Sequence, residues 1–149
     1  MKTQRKLIVA MSLYVTALLF TVAEAACTQV DMTGTWHVFG LAGDTYSRSF
    51  EGSFRCKLTV SSTGSLVPST STCTIRDDVG VHYLTIGGGK MVVSSTCAIT
   101  GNIQVCQSGA CNTEQIQAGQ LARDKNTFSL VGYLQIDPTD VFHLNGVKQ

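Results

Sequence analysis

A near-repeat in the middle of the chain constrains its fold more than any other feature. Residues 71–75, Ser-Thr-Cys-Thr-Ile, are echoed by residues 95–99, Ser-Thr-Cys-Ala-Ile, and a glycine and an apolar pair precede each copy. Turn residues at 77–80, a short apolar segment at 82–86 and three glycines at 87–89 separate the copies. Strand and turn signals that alternate in this way are typical of an antiparallel meander. We therefore interpret the copies as two versions of one long strand.

Strand periodicity extends over the rest of the chain. Residues 54–60 alternate apolar and polar side chains, and turn residues separate later strand-like segments at 115–122, 127–136 and 141–147. After the first 25 residues, no segment shows sustained helical spacing. This pattern predicts an all-β, single-domain antiparallel meander, an eight- or nine-stranded barrel, with a sandwich as the alternative. A parallel β-helix fits less well, because two copies of a repeat are too few to stack.

The start of the chain has the pattern of a secretory signal peptide. Basic residues open it, an apolar run follows at 7–22, and residues 23–25, Ala-Glu-Ala, form a small-x-small cleavage signal. The apolar run is too short to favour a membrane span. We therefore predict a signal peptide at 1–25, a domain at 26–149 and a secreted or periplasmic location. The alternative, a lipid anchor on Cys27, is disfavoured because a glutamate stands where lipoprotein signals carry an aliphatic residue.

The predicted mature domain is close to neutral. The whole chain has 11 Lys and Arg and 10 Asp and Glu, and the signal peptide takes away three of the former and one of the latter, which leaves a net charge of −1. No run of basic residues occurs in the domain. This balance argues against nucleic acid or an anionic membrane surface as the main partner.

All the cysteines lie in the predicted exported part, and an even number there predicts up to three disulfides. They are Cys27, Cys56, Cys73, Cys97, Cys106 and Cys111. A zinc site would need closely spaced ligand pairs such as Cys-x-x-Cys, and the sequence has none. We therefore expect structural disulfides, with no metal and no other cofactor.

A two-residue hairpin loop at residues 101–102, Gly-Asn, would determine one disulfide. Counting outward from this loop places Cys97 opposite Cys106 in a non-hydrogen-bonded pair, where the two Cα atoms lie within disulfide range. A disulfide between Cys106 and Cys111 is the main competitor. If the first pairing holds, the remaining cysteines pair most simply as Cys56 with Cys73 and Cys27 with Cys111.

The segment at 34–36, Gly-Thr-Trp, resembles the first strand of the calycin group, which comprises lipocalins, fatty-acid-binding proteins and avidins. In those families the tryptophan closes one end of an up-and-down barrel, and the interior or mouth takes a small ligand. The resemblance therefore implies a structural role for Trp36 and a small or hydrophobic ligand. The arginine that packs on this tryptophan in lipocalins has no counterpart in the sequence, nor do the arginine and tyrosine of fatty-acid-binding barrels.

No catalytic constellation is recognisable. His37, His82 and His143 lie on separate predicted strands without metal-ligand spacing. Serine occurs in no Gly-x-Ser-x-Gly motif, and Ser108 fits a tight loop. Residues 87–90, Gly-Gly-Gly-Lys, lack the spacing and the following helix of a phosphate-binding loop and indicate a glycine hairpin. We therefore expect no enzymatic activity.

Two classes of function remain. One is a barrel that binds a small or hydrophobic ligand, and the other is a structural or interaction module that contacts another extracytoplasmic protein. We predict the first. An enclosed apolar cavity would favour the binder, whereas a filled core with an exposed apolar patch would favour the partner protein.

Asp137 and Asp140 could hold a cation, but Asp-Pro-Thr-Asp is also an ordinary turn.

Overall fold

The computed structural model describes residues 26–149, which form a closed barrel of eight antiparallel strands. The predicted signal peptide, residues 1–25, lies outside the described residues. The strands are β1 (Gly34–Asp44), β2 (Ser49–Val60), β3 (Thr72–Arg76), β4 (Val81–Val93), β5 (Ala98–Gln107), β6 (Ala110–Leu121), β7 (Thr127–Leu134) and β8 (Asp137–Lys148). Short 3₁₀ helices precede β1 (Gln29–Met32) and β3 (Pro68–Thr70). Within residues 26–149, no helix is both long enough and apolar enough to span a membrane.

Each strand pairs with the next strand in the sequence, and β1 also pairs with β8 to close the barrel. The closing register places Trp36 opposite Lys148. Side chains alternate between interior and exterior: on β1, Trp36 and Val38 are buried, while His37 and Phe39 are exposed. The predicted all-β meander and the eight-stranded barrel are confirmed. The nine-stranded and sandwich alternatives are wrong, because closure of β1 on β8 makes a single continuous sheet of eight strands.

The two copies of the near-repeat do not form equivalent strands. The first copy forms β3, whereas most of the second lies in the turn between β4 and β5, where residues 94–97 reverse the chain. The glycines at 87–89 are not a hairpin turn, since β4 passes through them with a bulge between Ile86 and Gly88. The predicted strand at 82–86 is therefore only the first half of β4. Glycine is compatible with both a turn and a bulge, so its presence did not distinguish them.

The predicted hairpin at residues 101–102 is also wrong, since both residues lie inside β5. Gly101 has a φ of 125° and adjoins a second bulge, in the pairing of β5 with β6. A Cβ atom at this position would collide with the carbonyl oxygen of Lys90. Glycine is therefore needed here for the close approach of two strands and not for a chain reversal.

The six cysteines form three disulfides, Cys27–Cys97, Cys56–Cys73 and Cys106–Cys111. The predicted pairing of Cys56 with Cys73 is confirmed. The pairings of Cys97 with Cys106 and of Cys27 with Cys111 are wrong, and the competing Cys106–Cys111 pairing is the one that forms. The reason is the position of the turns: Cys97 lies in the β4–β5 turn beside the N-terminal segment, and Cys106 faces Cys111 across the β5–β6 hairpin.

One end of the barrel is closed around Trp36, whose side chain is fully buried. Its indole nitrogen donates a hydrogen bond of 2.8 Å to the carbonyl oxygen of Met32, and its ring meets the ring of Phe128 edge to face, with the centroids 5.0 Å apart. The ammonium group of Lys148 lies 5.3 Å from the centroid of the indole ring. Lys148 thus places a cation over the ring of the tryptophan.

The N-terminal segment covers this closed end. The side chain of Gln29 donates a 3.0 Å hydrogen bond to the carbonyl oxygen of Met91 and accepts one of 3.0 Å from the amide of Val93. Lys125 pairs with Asp31 at 3.0 Å. Together with the Cys27–Cys97 disulfide, these contacts attach the first 3₁₀ helix to β4 and to the β6–β7 turn.

Candidate functional site

The opposite end of the barrel is an open mouth. β1 runs from Trp36 at the closed end to Asp44 at the mouth, which is about 26 Å of extended strand. A cavity of about 450 Å³ occupies the mouth. Sites for small molecules typically have volumes of about 300 to 1,000 Å³. The mouth is therefore large enough for a small ligand.

The floor of the mouth is apolar. Phe54 and Val105 line both the mouth and a second, interior cavity of only about 30 Å³, which continues between apolar side chains such as Leu58 and Ile103. That interior volume is enough for one or two water molecules. The barrel below the mouth is thus filled by its own side chains, and this interior cavity is too small for a fatty-acid chain. The enclosed apolar cavity that would favour a binding barrel is therefore not found within residues 26–149, and the open mouth is the cavity with room for a small molecule.

Glu114 is an acidic side chain at a core position of the barrel. It lies on β6 two residues before the buried Ile116, so both point inward, and it lines both cavities. Burial raises the pKa of its carboxyl group to about 7, and the charge of Asp140 adds to the shift. Within residues 26–149, no hydrogen-bond donor or cation is paired with this carboxyl group. Its oxygen atoms are therefore available to a ligand.

Three further carboxylates form the rim of the mouth. Asp44, Glu51 and Asp140 lie on the neighbouring strands β1, β2 and β8, and each has an oxygen within 4.8 Å of the others. Asp44 and Asp140 face each other directly in the β1–β8 register. A bulge leaves Glu51 as an extra residue on β2, and this turns its side chain toward the mouth cavity.

The rim carboxylates have different pKa values because their surroundings differ. The backbone amide of Ser47 donates a hydrogen bond to Asp44 and holds the pKa of that carboxyl below its usual value. Burial raises the pKa of Glu51 and of Asp140, and neighbouring carboxylates raise both further. No Lys, Arg or His of the described chain forms an ion pair with any of them. The mouth therefore combines an apolar floor with an uncompensated negative charge.

The rim could contribute oxygen ligands to a hard cation such as Ca²⁺. Each rim carboxylate offers one ligand atom, and the ligand atoms of Asp44, Glu51 and Asp140 lie within 4.8 Å of one another. Ca²⁺ takes about six to eight oxygen ligands. The rim can attract a cation, but these side chains alone do not make a full ligand set.

The three histidines are not brought together. His37 lies on the outer surface, and His82 pairs with Asp77 at 3.1 Å in the β3–β4 hairpin. A hydrogen bond of 2.9 Å joins His143 to Ser129 on the exposed side of β7 and β8. Among residues 26–149, no carboxylate is hydrogen-bonded to this serine–histidine pair to orient it, as a catalytic triad would require.

The other residues considered from sequence have structural positions. Ser108 has a φ of 51° in the tight β5–β6 turn, so the predicted tight loop is confirmed. Asp137 opens β8, and Asp140 joins the rim of the mouth. The predicted turn at 137–140 is wrong, since the chain reverses just before it, at residues 135–136.

Comparisons of the chain with protein-family models, with curated proteins and with solved structures find no match.

Sequence reasoning missed Glu114, Asp44 and Glu51. For Glu114 a signal existed, because a glutamate two residues from an isoleucine in a strand pattern points to the same face as the isoleucine. Asp44 directly follows Gly43, and Glu51 lies in a polar stretch that is typical of a loop. The bulge that turns Glu51 inward has no sequence signature.

Proposed function

We propose that this protein is an exported, non-catalytic binding protein whose barrel mouth holds a small ligand with an apolar part and a positively charged group. The observation that carries the proposal is the position of Glu114. Its carboxyl group has no protein partner among the described residues and lies at the base of a cavity of about 450 Å³ with an apolar floor. A concave apolar site with a few convergent polar groups is the usual form of a small-molecule site.

The two kinds of surface in the mouth suit two parts of one ligand. An apolar part can pack against Phe54 and Val105, and each Å² of apolar surface that it removes from water contributes roughly 25 cal/mol. A protonated amine can donate charge-assisted hydrogen bonds to Glu114, which are stronger than those between neutral groups. It would also reduce the repulsion between Asp44 and Asp140.

Cavity size and charge limit the class of ligand. The interior below the mouth is about 30 Å³, so a long alkyl chain has no room there. A carboxylate ligand, such as a fatty acid, would meet the negative rim and be repelled. A short aliphatic or aromatic amine satisfies both restrictions.

Two observations support export. The first 25 residues have the pattern of a signal peptide, and the domain has three disulfides, which persist mainly in oxidising compartments outside the cytoplasm. A barrel that takes a small ligand is also what the resemblance of residues 34–36 to calycins implies. The contact of Lys148 with Trp36 adds to that resemblance.

Titration with hexylamine, hexanol and hexanoate, followed by ¹⁵N NMR chemical shifts, tests the proposal. We expect hexylamine to shift the amide signals of Glu114 and Asp140, hexanol to shift them less and hexanoate not at all. Trp36 fluorescence is a poor reporter, because the indole lies at the far end of the barrel. Glu114→Gln should weaken hexylamine binding about tenfold or more, since a hydrogen bond to a charged group contributes about 1.5 to 3 kcal/mol.

The matched control is Asp124→Asn, which removes an exposed carboxylate in the β6–β7 turn, at the closed end of the barrel. This variant should bind hexylamine like the wild type. Equal affinity for hexanol and hexylamine, or unchanged binding by Glu114→Gln, would contradict the amine preference. Stabilisation by Ca²⁺ without any response to hexylamine would instead assign the mouth to a metal ion.

A further inference from the structure

A second feature, independent of the mouth, lies on the outside of the barrel. Strand pairing aligns the outward-facing residues of β7, β8, β1, β2, β3 and β4 in rows. The row through Leu41 consists of Val131, His143, Leu41, Ser53, Arg76 and Val81. Two parallel rows pass through Phe39 and His37. We call the outward-facing residues of these three rows the basic wall.

The basic wall carries cations and no carboxylate. Arg76 lies in the first row, Arg55 in the second and Lys57 in the third, and no outward-facing residue of the three rows is Asp or Glu. Within residues 26–149, none of these three cations forms an ion pair. Outside the three rows, Asp77 and Asp78 follow Arg76 in the β3–β4 turn, where Asp77 pairs with His82. The wall therefore has a positive potential that no ion pair cancels.

Large apolar side chains lie among these cations. Phe39 is 47% exposed, Leu41 56% and Val81 52%. The guanidinium carbon of Arg55 lies 5.5 Å from the centroid of the Phe39 ring, which orients the arginine along the wall. Leu41 separates two surface grooves of about 580 and 550 Å³. Arginine and aromatic residues beside apolar grooves are typical of protein–protein interfaces.

We propose that the basic wall binds an acidic segment of another protein, with carboxylates paired to Arg55 and Arg76 and an apolar side chain in a groove beside Leu41. Charge complementarity selects an acidic partner. The barrel is closed and has no edge strand, so the partner meets side chains and does not extend the sheet. A bilayer fits less well, because Phe39 and Leu41 lie on the strands of the wall and not on protruding loops.

Selection from a random peptide library displayed on phage, with the purified protein immobilised, tests this proposal. We expect enriched peptides to combine Asp or Glu with an aromatic or aliphatic residue. Binding of a synthetic consensus peptide is then measured by fluorescence anisotropy. The double variant Arg55→Glu/Arg76→Glu and the variant Leu41→Ser should each weaken binding about tenfold or more, as loss of a central interface residue does. Circular dichroism melts verify that both variants fold.

The matched controls are Lys90→Glu and Val92→Ser, which change an exposed cation and an exposed valine of β4 outside the basic wall. Both should bind the peptide like the wild type, and so should Glu114→Gln, which separates this surface from the mouth. Peptides without acidic residues, or equal binding by the wall variants, would overturn the proposal.

Two further outcomes would assign the basic wall to a different occupant and so overturn the proposal of an acidic protein partner. One is cosedimentation with vesicles of phosphatidylcholine and phosphatidylglycerol that is lost in Arg55→Glu/Arg76→Glu. The other is a dimer in sedimentation equilibrium that Leu41→Ser dissociates.

Discussion

Lys148 and Trp36 face each other across the seam where the last strand closes on the first. The ammonium group lies 5.3 Å from the centroid of the indole ring and donates a hydrogen bond of 2.7 Å to the carbonyl oxygen of Asp31. One side chain thereby connects β8, β1 and the N-terminal 3₁₀ helix. These residues close one end of the barrel, and the opposite end is open.

Trp36→Ala should destabilise the fold more than alanine at any histidine. Loss of a large buried aromatic side chain costs about 3 to 5 kcal/mol, whereas an exposed histidine typically contributes under about 0.5 kcal/mol. Urea denaturation of the four single variants measures the difference. A larger loss in His37→Ala, His82→Ala or His143→Ala than in Trp36→Ala would contradict the central position of the tryptophan.

Lys148→Ala should lower the free energy of unfolding by about 1 to 2 kcal/mol, because it removes both a partly desolvated cation–π contact and a hydrogen bond. The matched control is Lys90→Ala, which truncates an exposed lysine on β4 whose ammonium group has no partner among residues 26–149. The two variants are compared in the same urea titration. Equal stabilities would show that the contact with the indole ring contributes nothing.

Glu114→Gln should stabilise the protein at alkaline pH. The folded state raises the pKa of this carboxyl to about 7 from an ordinary value of 4.5, so it binds the proton more tightly than the unfolded chain does. The contribution of the Glu114 carboxyl to the free energy of unfolding is fully present below pH 4.5 and is lost as the pH rises through about 7. Above that pH, the free energy of unfolding of Glu114→Gln should exceed that of the wild type by about 1 to 3 kcal/mol. This figure is discounted because the carboxyl group is partly exposed to solvent.

Urea titrations of wild type and Glu114→Gln at acidic, neutral and alkaline pH check this expectation. The two curves should coincide at acidic pH and separate as the pH rises. A constant difference between wild type and Glu114→Gln at every pH would mean that packing, and not ionisation, distinguishes the two side chains.

The barrel itself was predictable because strand alternation and the distance between turns are local properties of the sequence. Residues 54–60 lie within β2, the turn at 124–126 lies between β6 and β7, and Cys56 pairs with Cys73, all as predicted. These predictions hold because side chains along a strand alternate with a period of two residues. Once a strand is recognised, this alternation determines which of its side chains face inward.

The two wrong hairpins share one physical cause, which is the use of glycine inside strands. Gly88 and Gly101 adjoin bulges in β4 and β5, where sequence patterns indicated turns. Because a hairpin at Gly101 places Cys97 opposite Cys106, that predicted disulfide is wrong as well. The mouth was missed for a different reason: the bulge that turns Glu51 inward depends on pairing between β1 and β2, which no local pattern specifies.

The three disulfides should differ in their contributions to stability. In the chain-entropy model a disulfide stabilises more when it closes a longer loop. Cys27–Cys97 joins residues 70 apart and Cys106–Cys111 residues 5 apart, so replacing the first pair by serine should cost about 4 kcal/mol and the second about 2 kcal/mol. Denaturant titrations compare the two double variants, and non-reducing peptide mapping verifies the pairing. A peptide linking Cys97 to Cys106 would contradict the observed turns.

Gly101→Ala should destabilise the barrel more than Gly109→Ala. Both glycines have positive φ, 125° and 87°, so alanine introduces backbone strain of about 1 to 3 kcal/mol at either position. At Gly109, in the β5–β6 turn, a new Cβ atom would meet nothing within 4 Å. At Gly101 it would collide with the carbonyl oxygen of Lys90, and the two strands would have to separate. We therefore expect a loss of more than about 3 kcal/mol for Gly101→Ala, measured by urea denaturation. Equal losses in the two variants would show that backbone strain alone, and not the close approach of β4 and β5, requires the glycine.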